Sequence, residues 1–179
     1  DISQASGINL SYLYNFITSK DDILYLYYQR LQQEWHDLYQ KAFEDRDADP
    51  VEQIKCFLRL GMDHSIRVRK EILTLYSESR HLKQDSLQQI LANERAMVDV
   101  VDDVVKRGIE RGVFKLEDSF IAANIIQYLF AMHALRGWNF KDRYSTNRYK
   151  NTMINMILRG LGAEPDTTAK KAKRKTRFS

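Results

Sequence analysis

The chain contains a single cysteine, Cys56. One thiol excludes an internal disulfide framework and suits a reducing compartment. Two prolines and seven glycines leave few places for tight turns, which argues against a many-stranded sandwich or barrel and against a long disordered linker. The longest apolar runs, such as Phe120 to Ile126, fall far short of the ~20 residues of a membrane span. No signal peptide is visible. His36, His64, His81 and His133 form neither an HExxH pattern nor a close pair, so no metal site is expected. Gly108 and Gly112 lack the strand and Gly-Lys-Ser context of a phosphate loop. No carboxylate pair stands out for acid–base work. The chain is therefore read as non-enzymatic and without a cofactor.

What is present is ordinary globular material. The 179 residues are 44% hydrophobic and 29% charged, enough for one sizeable core with roughly 70% of the unfolded surface buried. The net charge of +4 is deceptive. Lys170, Lys171, Lys173, Arg174, Lys175 and Arg177 all lie in the last thirteen residues, and without these six charges the remainder stands at −2. The basic pI reflects a tail, expected to be disordered, so composition alone does not establish a nucleic-acid binder.

The periodicity is helical almost throughout, and the expected class is all-α. Ser19 and Asp22 form a capping box ahead of a long helix whose stripe is Ile23, Leu24, Tyr27, Tyr28, Leu31, Trp35, Leu38, Tyr39 and Phe43. Asp49, Pro50 and Glu52 start the next helix, with Ile54, Phe57, Leu58, Met62 and Ile66 inward. A shorter helix is expected over about 71–82. Asp85 and Gln88 open a long one with Leu87, Ile90, Leu91, Met97, Val98, Val101, Val104, Val105 and Ile109 inward, stopped by Gly112. Helix 118–138 is apolar most of the way round, through Trp138, and needs burial on more than one side. Helix 145–161 closes the fold before Gly162 and Pro165. Cys56, beside Phe57 and Leu58, reads as a small buried hydrophobe.

The segment ISQASGINLSYLYNFITSKDDIL (2–24) carries the functional signal. Gly7 supplies a turn between two short helices, as in a helix-turn-helix. Ile2, Ile8, Leu13 and Phe16 would pack beneath it. That arrangement leaves Asn9, Leu10, Ser11, Tyr12, Tyr14 and Asn15 for a groove.

This stretch resembles the DNA-binding region of TetR-family regulators, typically IAxxAGVSxGTLYxYFxSKExLL. Ile2, Gly7, Leu13, Tyr14, Ser19, Lys20, Asp22 and Leu24 match, and Ile8, Phe16, Asp21 and Ile23 are close replacements. The resemblance implies an N-terminal helix-turn-helix, incomplete at its start, followed by a helical ligand-binding and dimerisation domain. The implied division is 1–36, 37–165 and a tail at 166–179. Because Asp1 opens inside the pattern, the natural protein is expected to extend upstream. Segment 1–36 itself carries a charge of −2, and in the family upstream basic residues supply much of the phosphate affinity, so this stretch alone is expected to bind DNA poorly.

By the same resemblance, Tyr14 and Lys20 contact phosphates, Tyr12 either phosphate or base edge, and Asn9, Leu10, Ser11 and Asn15 read bases. In an isolated YLYNF, packing alone would be the plainer role for Tyr12 and Tyr14; within the full motif the segment is read as contacting DNA. The implied function is that of a ligand-responsive transcriptional regulator in the bacterial cytoplasm, associated with the nucleoid. It would act as a repressor, a homodimer through helices 118–138 and 145–161, released from a palindromic operator by a small apolar effector. TLYSESRHL, VVKRGIERGVF and HALRGWNF resemble the branch that senses acyl-CoA thioesters. Expected pocket residues are Phe57, Leu60, His64, Tyr76, Met97, Val101, Phe130 and His133, with Arg80 or His81 for a polar ligand group. Ordinary core and surface roles for each stand beside that reading. The alternative function is a helical ligand-binding or interaction protein without sequence-specific DNA binding.

Overall fold

A computed structural model describes residues 19–140 and 142–163. These residues form six α-helices and one 3-10 turn, with no strand among them. Helix α1 (Lys20–Phe43) begins as its sequence dictates: the Asp22 N–H donates to Ser19 Oγ at 3.2 Å, and the Ser19 N–H donates to Asp22 Oδ2 at 2.9 Å. Two orphan amides are thus satisfied reciprocally. Helix α2 (Pro50–Arg67) starts with Pro50 in the first turn and with Asp49 Oδ1 accepting the Val51 N–H at 3.1 Å. Val68 both ends α2 and precedes α3 (Arg69–Glu78). The 3-10 turn Ser79–His81 follows, so the single helix expected over 71–82 is an α-helix with a tightened end.

Helix α4 (Gln84–Glu110) departs from expectation at its start. No side chain of its own caps it. The Asp21 carboxylate of α1 serves instead, accepting the Lys83 N–H at 2.5 Å and the Ser86 hydroxyl at 3.1 Å. Its end follows the sequence. Gly112 takes φ +71°, and the Val113 and Phe114 amides both donate to the Gly108 carbonyl. The left-handed residue satisfies carbonyls that would otherwise be orphaned. Phe114 folds back so closely that a Cβ on Gly108 would lie 2.0 Å from its ring.

Helix α5 (Ser119–Phe140) opens with Asp118 Oδ1 accepting the Ile121 N–H at 2.8 Å. Helix α6 (Thr146–Gly160) opens with Ser145 Oγ accepting the Arg148 N–H. The Lys115 N–H donates to the Leu161 carbonyl at 2.8 Å, tying the end of α6 to the α4–α5 connection.

The core joins all helices except α3. Ile54, Phe57, Leu58 and Met62 of α2 meet Val101, Val104 and Val105 of α4, Ile126 of α5, and Ile154 and Leu158 of α6. A smaller cluster of Leu31, Val68, Ile72 and Ala131 seats α3. Ile23 and Leu91, expected inward, are instead exposed, and Trp138 of the helix expected to need burial on more than one side is exposed at 72%. Trp138 lies in the last turn of α5, where Arg136 covers its ring at 5.5 Å and no core element reaches it. Ile121 and Ile125 are also exposed, so that side of α5 stays uncovered within one chain. Among the described residues no helix is long and apolar enough to cross a membrane.

Candidate functional site

A cavity of about 610 Å³ opens between α1, α3, α4 and α5, a volume that suits a small organic ligand. Helix α1 contributes Tyr28, Leu31, Gln32 and Trp35, and α3 contributes Ile72, Leu75 and Tyr76. Helix α4 contributes Ile90, Leu91, Glu94, Arg95, Met97 and Val98, and α5 contributes Phe120, Asn124, Gln127, Tyr128, Phe130 and Ala131. The void follows from crossing geometry. Four helices converge here, and α1, α3 and α5 each present aromatic side chains to the space between them. Trp35 and Phe130 pack at 5.1 Å to form its floor against the core.

Glu94 and Arg95 are the charged residues in this wall. The Tyr28 hydroxyl donates to Glu94 Oε1 at 2.6 Å. Burial, and then the nearby Glu94 charge, push the Tyr28 phenol well above its ordinary range. Burial and Glu94 act on Tyr76 in the same direction. A second polar link between α1 and α4 runs from Asn93 Nδ2 to Gln32 Oε1 at 2.8 Å. Together with Asp21 at the first turn of α4, these bonds form a ladder along the two helices that bound the cavity.

The expected pocket residues divide. Tyr76, Met97 and Phe130 line the cavity. Phe57 and Val101 are fully buried core residues, because α2 and α4 present those positions to other helices rather than to the void. Phe57 packs against Tyr39, Phe43 and Phe130. Leu60 is half-buried on α2, away from the wall. His64 lies buried behind Trp35, its ring 4.9 Å from the indole. Arg67 donates to its Nδ1 at 2.8 Å. Since a guanidinium only donates, the neutral ring carries its proton on Nε2, a buried atom without a partner. Burial pulls this imidazole below its ordinary range; Arg67 adds to the effect, and Glu34 and Glu71 oppose it. Arg80 and His81 are exposed on the 3-10 turn and bond each other, outside the wall. His133 packs against Tyr149 at 5.1 Å, and burial, followed by Arg69, lowers its affinity for a proton.

Sequence reasoning missed Glu94 and the α1 wall. Tyr28, Leu31 and Trp35 belong to a stripe read as core. Glu94 sits between Ile90 and Met97 in an inward row at helical spacing, and a carboxylate interrupting such a row is itself a signal. Asn9, Leu10, Ser11, Tyr12, Tyr14 and Asn15 lie outside the described residues. Lys20 is the first residue of α1, and its side chain is likewise outside them. Among the described residues no group of three or more His, Cys, Asp or Glu side chains is placed to hold a metal ion.

Comparisons with known proteins bear on the whole arrangement. No curated protein sequence matches the chain. The fold is similar to the regulator PfmR from Thermus thermophilus, with a TM-score of 0.74 at 22% identity, covering 90% of this chain and 87% of that one. It is also similar to AibR, solved in complex with isovaleryl coenzyme A and operator DNA (TM-score 0.71, 18% identity, 87% and 83% covered). The ketosteroid transcriptional regulator KstR2 of Mycobacterium tuberculosis gives 0.71 at 16% identity, with 90% and 82% covered. Residues 47–161 match the family described as tetracyclin repressor-like, C-terminal domain. The match takes in every helix from α2 to α6, including most of the cavity wall, and the chain therefore belongs to the TetR family of transcriptional regulators.

Proposed function

We propose that the protein is a ligand-responsive repressor that binds a palindromic operator as a homodimer and releases it when a small apolar effector fills the cavity. The observation that carries this reading is the polar ladder between α1 and α4. The two helices that bound the cavity are tied by Tyr28–Glu94 and Gln32–Asn93, and again by Asp21–Lys83. Asp21 stands beside Lys20, the last of the residues read as DNA contacts. A ligand that spreads α1 from α4 acts on the end of α1 that adjoins the helix-turn-helix segment. In this reading the two sites are coupled by ~1–3 kcal/mol through two arrangements of α1 against α4.

The homodimer reading draws on the uncovered apolar side of α5, with Ile121 and Ile125 exposed one turn apart, and on exposed Met156 of α6. Two-fold pairing then spaces the operator half-sites by one helical turn, ~34 Å, or a multiple of it. A more specific reading makes the effector an acyl-CoA thioester; it draws on the sequence resemblance and on the similarity to AibR, a protein solved with isovaleryl coenzyme A.

The experiment is a binding titration of the full-length protein with a panel of apolar amines, acids and acyl-CoA esters, each run with and without operator duplex. A ligand that releases DNA is expected to bind about 5–150-fold less tightly when DNA is present, by reciprocity. Equal affinity for every ligand that binds rules out the coupling.

A further inference from the structure

The charge inside the cavity narrows the effector beyond its apolar character. Glu94 projects into a wall that also presents the rings of Tyr28, Trp35, Tyr76, Phe120 and Tyr128. Its carboxylate holds one neutral partner, the Tyr28 hydroxyl at 2.6 Å, and makes no ion pair among the described residues. Glu94 is exposed at the open cavity, so a cation seated there meets an accessible carboxylate, and the aromatic faces add to the attraction through their quadrupoles. The same carboxylate, after burial, raises the phenols of both Tyr28 and Tyr76, so its field is felt across the cavity from α1 to α3. Arg95, the next residue, also lines the wall. Successive residues on a helix stand about 100° apart and do not face each other, and no ion pair joins the two.

We infer that the cavity selects an apolar molecule carrying a protonated amine or a quaternary cation, with Glu94 as its counter-charge and the surrounding aromatic rings as its cage. This inference rests on the proposed ligand cavity and sets itself against an acyl-CoA effector. The acceptor is supplied by α4, while the ring that it holds belongs to α1. A bound cation therefore competes with the Tyr28 hydroxyl for Glu94 and acts directly on one rung of the α1–α4 ladder.

The test uses tetraphenylphosphonium and tetraphenylborate, ions of nearly equal size and opposite charge. The chain has two tryptophans, so Trp138→Phe leaves Trp35, in the cavity wall, as the reporter of binding. Tetraphenylphosphonium is expected to quench Trp35 with an affinity about tenfold or more above that of tetraphenylborate. Glu94→Gln is expected to erase this preference, and Arg95→Gln to leave it. Preference for the anion, equal binding, or an unchanged preference in Glu94→Gln overturns the inference. Tighter binding of octanoyl-CoA than of the phosphonium does so as well. The wild-type comparison of the two ions needs no cavity variant, so a misfolded Glu94→Gln protein does not leave the question open. If neither ion quenches Trp35, both this inference and the ligand cavity fall. A cation that binds Trp35's cavity without changing DNA affinity supports the ligand class and strikes down ligand control instead.

Discussion

The Asp21 carboxylate accepts the backbone N–H of Lys83 at 2.5 Å, across 62 positions of sequence. It also accepts the Ser86 hydroxyl, with the Lys83 ammonium 3.8 Å away. One buried side chain thus caps a helix that lies elsewhere in the chain, and in doing so fixes the start of α1 against the start of α4.

Removing that carboxylate leaves the Lys83 amide and the Ser86 hydroxyl without this acceptor. Asp21→Ala is expected to cost about 1.5–3 kcal/mol, the usual range for hydrogen bonds to a charged group. At this chain length each kilocalorie lowers the melting temperature by about 2–4 °C. Thermal unfolding checks this, and a variant within half a kilocalorie of wild type, by this order-of-magnitude scale, contradicts it.

Gly61 faces the ring of Phe130, and a Cβ there would lie 2.5 Å from it. Phe130 is buried, packs on Trp35 and Phe57, and lines the cavity. Gly61→Ala is therefore expected to destabilise the fold by about 1–3 kcal/mol through overpacking and to shrink the cavity by driving Phe130 into it. Denaturant unfolding, together with affinity for a cavity ligand, reads both effects. An Ala variant with wild-type stability and ligand affinity is the contrary result.

His64 and His133 have folded-state pKa values lowered chiefly by burial. The folded state then binds fewer protons than the unfolded one. Stability is full above the unfolded value, near 6.5, and is lost as the pH falls below it toward the folded values. Asp102 acts in a lower window. Burial raises its pKa, but bonds from Lys106 and Ser119 outweigh this and lower it below 3.8. Its contribution is therefore present above 3.8 and fades only at more acid pH. His64→Gln is expected to flatten part of the stability loss below pH ~6.5, and the double variant with His133→Gln more of it. Stability curves for the variants that run parallel to wild type contradict the assignment.

The uncovered side of α5 is expected to pair two copies. Sedimentation of the wild type should give a species of twice 21.1 kDa. Ile125→Asp, at an exposed apolar position, should weaken association by about tenfold or more. A wild type that sediments only as a 21.1 kDa species contradicts the pairing.

Local chemistry was legible where the signal is short-range. Ser19 with Asp22, Asp49 with Pro50, Gly112 and Ser145 all mark helix ends in the sequence and mark them in the structure. The start of α4 was not legible, because Asp21 of α1, not Asp85, accepts the amide of its N-cap residue Lys83. Tyr76, Met97 and Phe130 were recognised as inward and do line the cavity; Phe57 and Val101 were equally inward and meet packed neighbours instead. Helical period reports which face is buried. Whether that face meets a void or a side chain depends on how four helices cross, which no single stripe encodes.

Sequence-specific DNA binding is tested most directly by selection from a pool of random duplex DNA by the full-length protein at near-physiological salt. Enrichment of a palindrome is expected, with half-sites about one helical turn, or a multiple, apart, bound about a thousandfold or more tighter than random duplex. A folded protein that enriches no sequence and shows only salt-governed affinity would contradict it and leave a helical ligand-binding or interaction protein in its place.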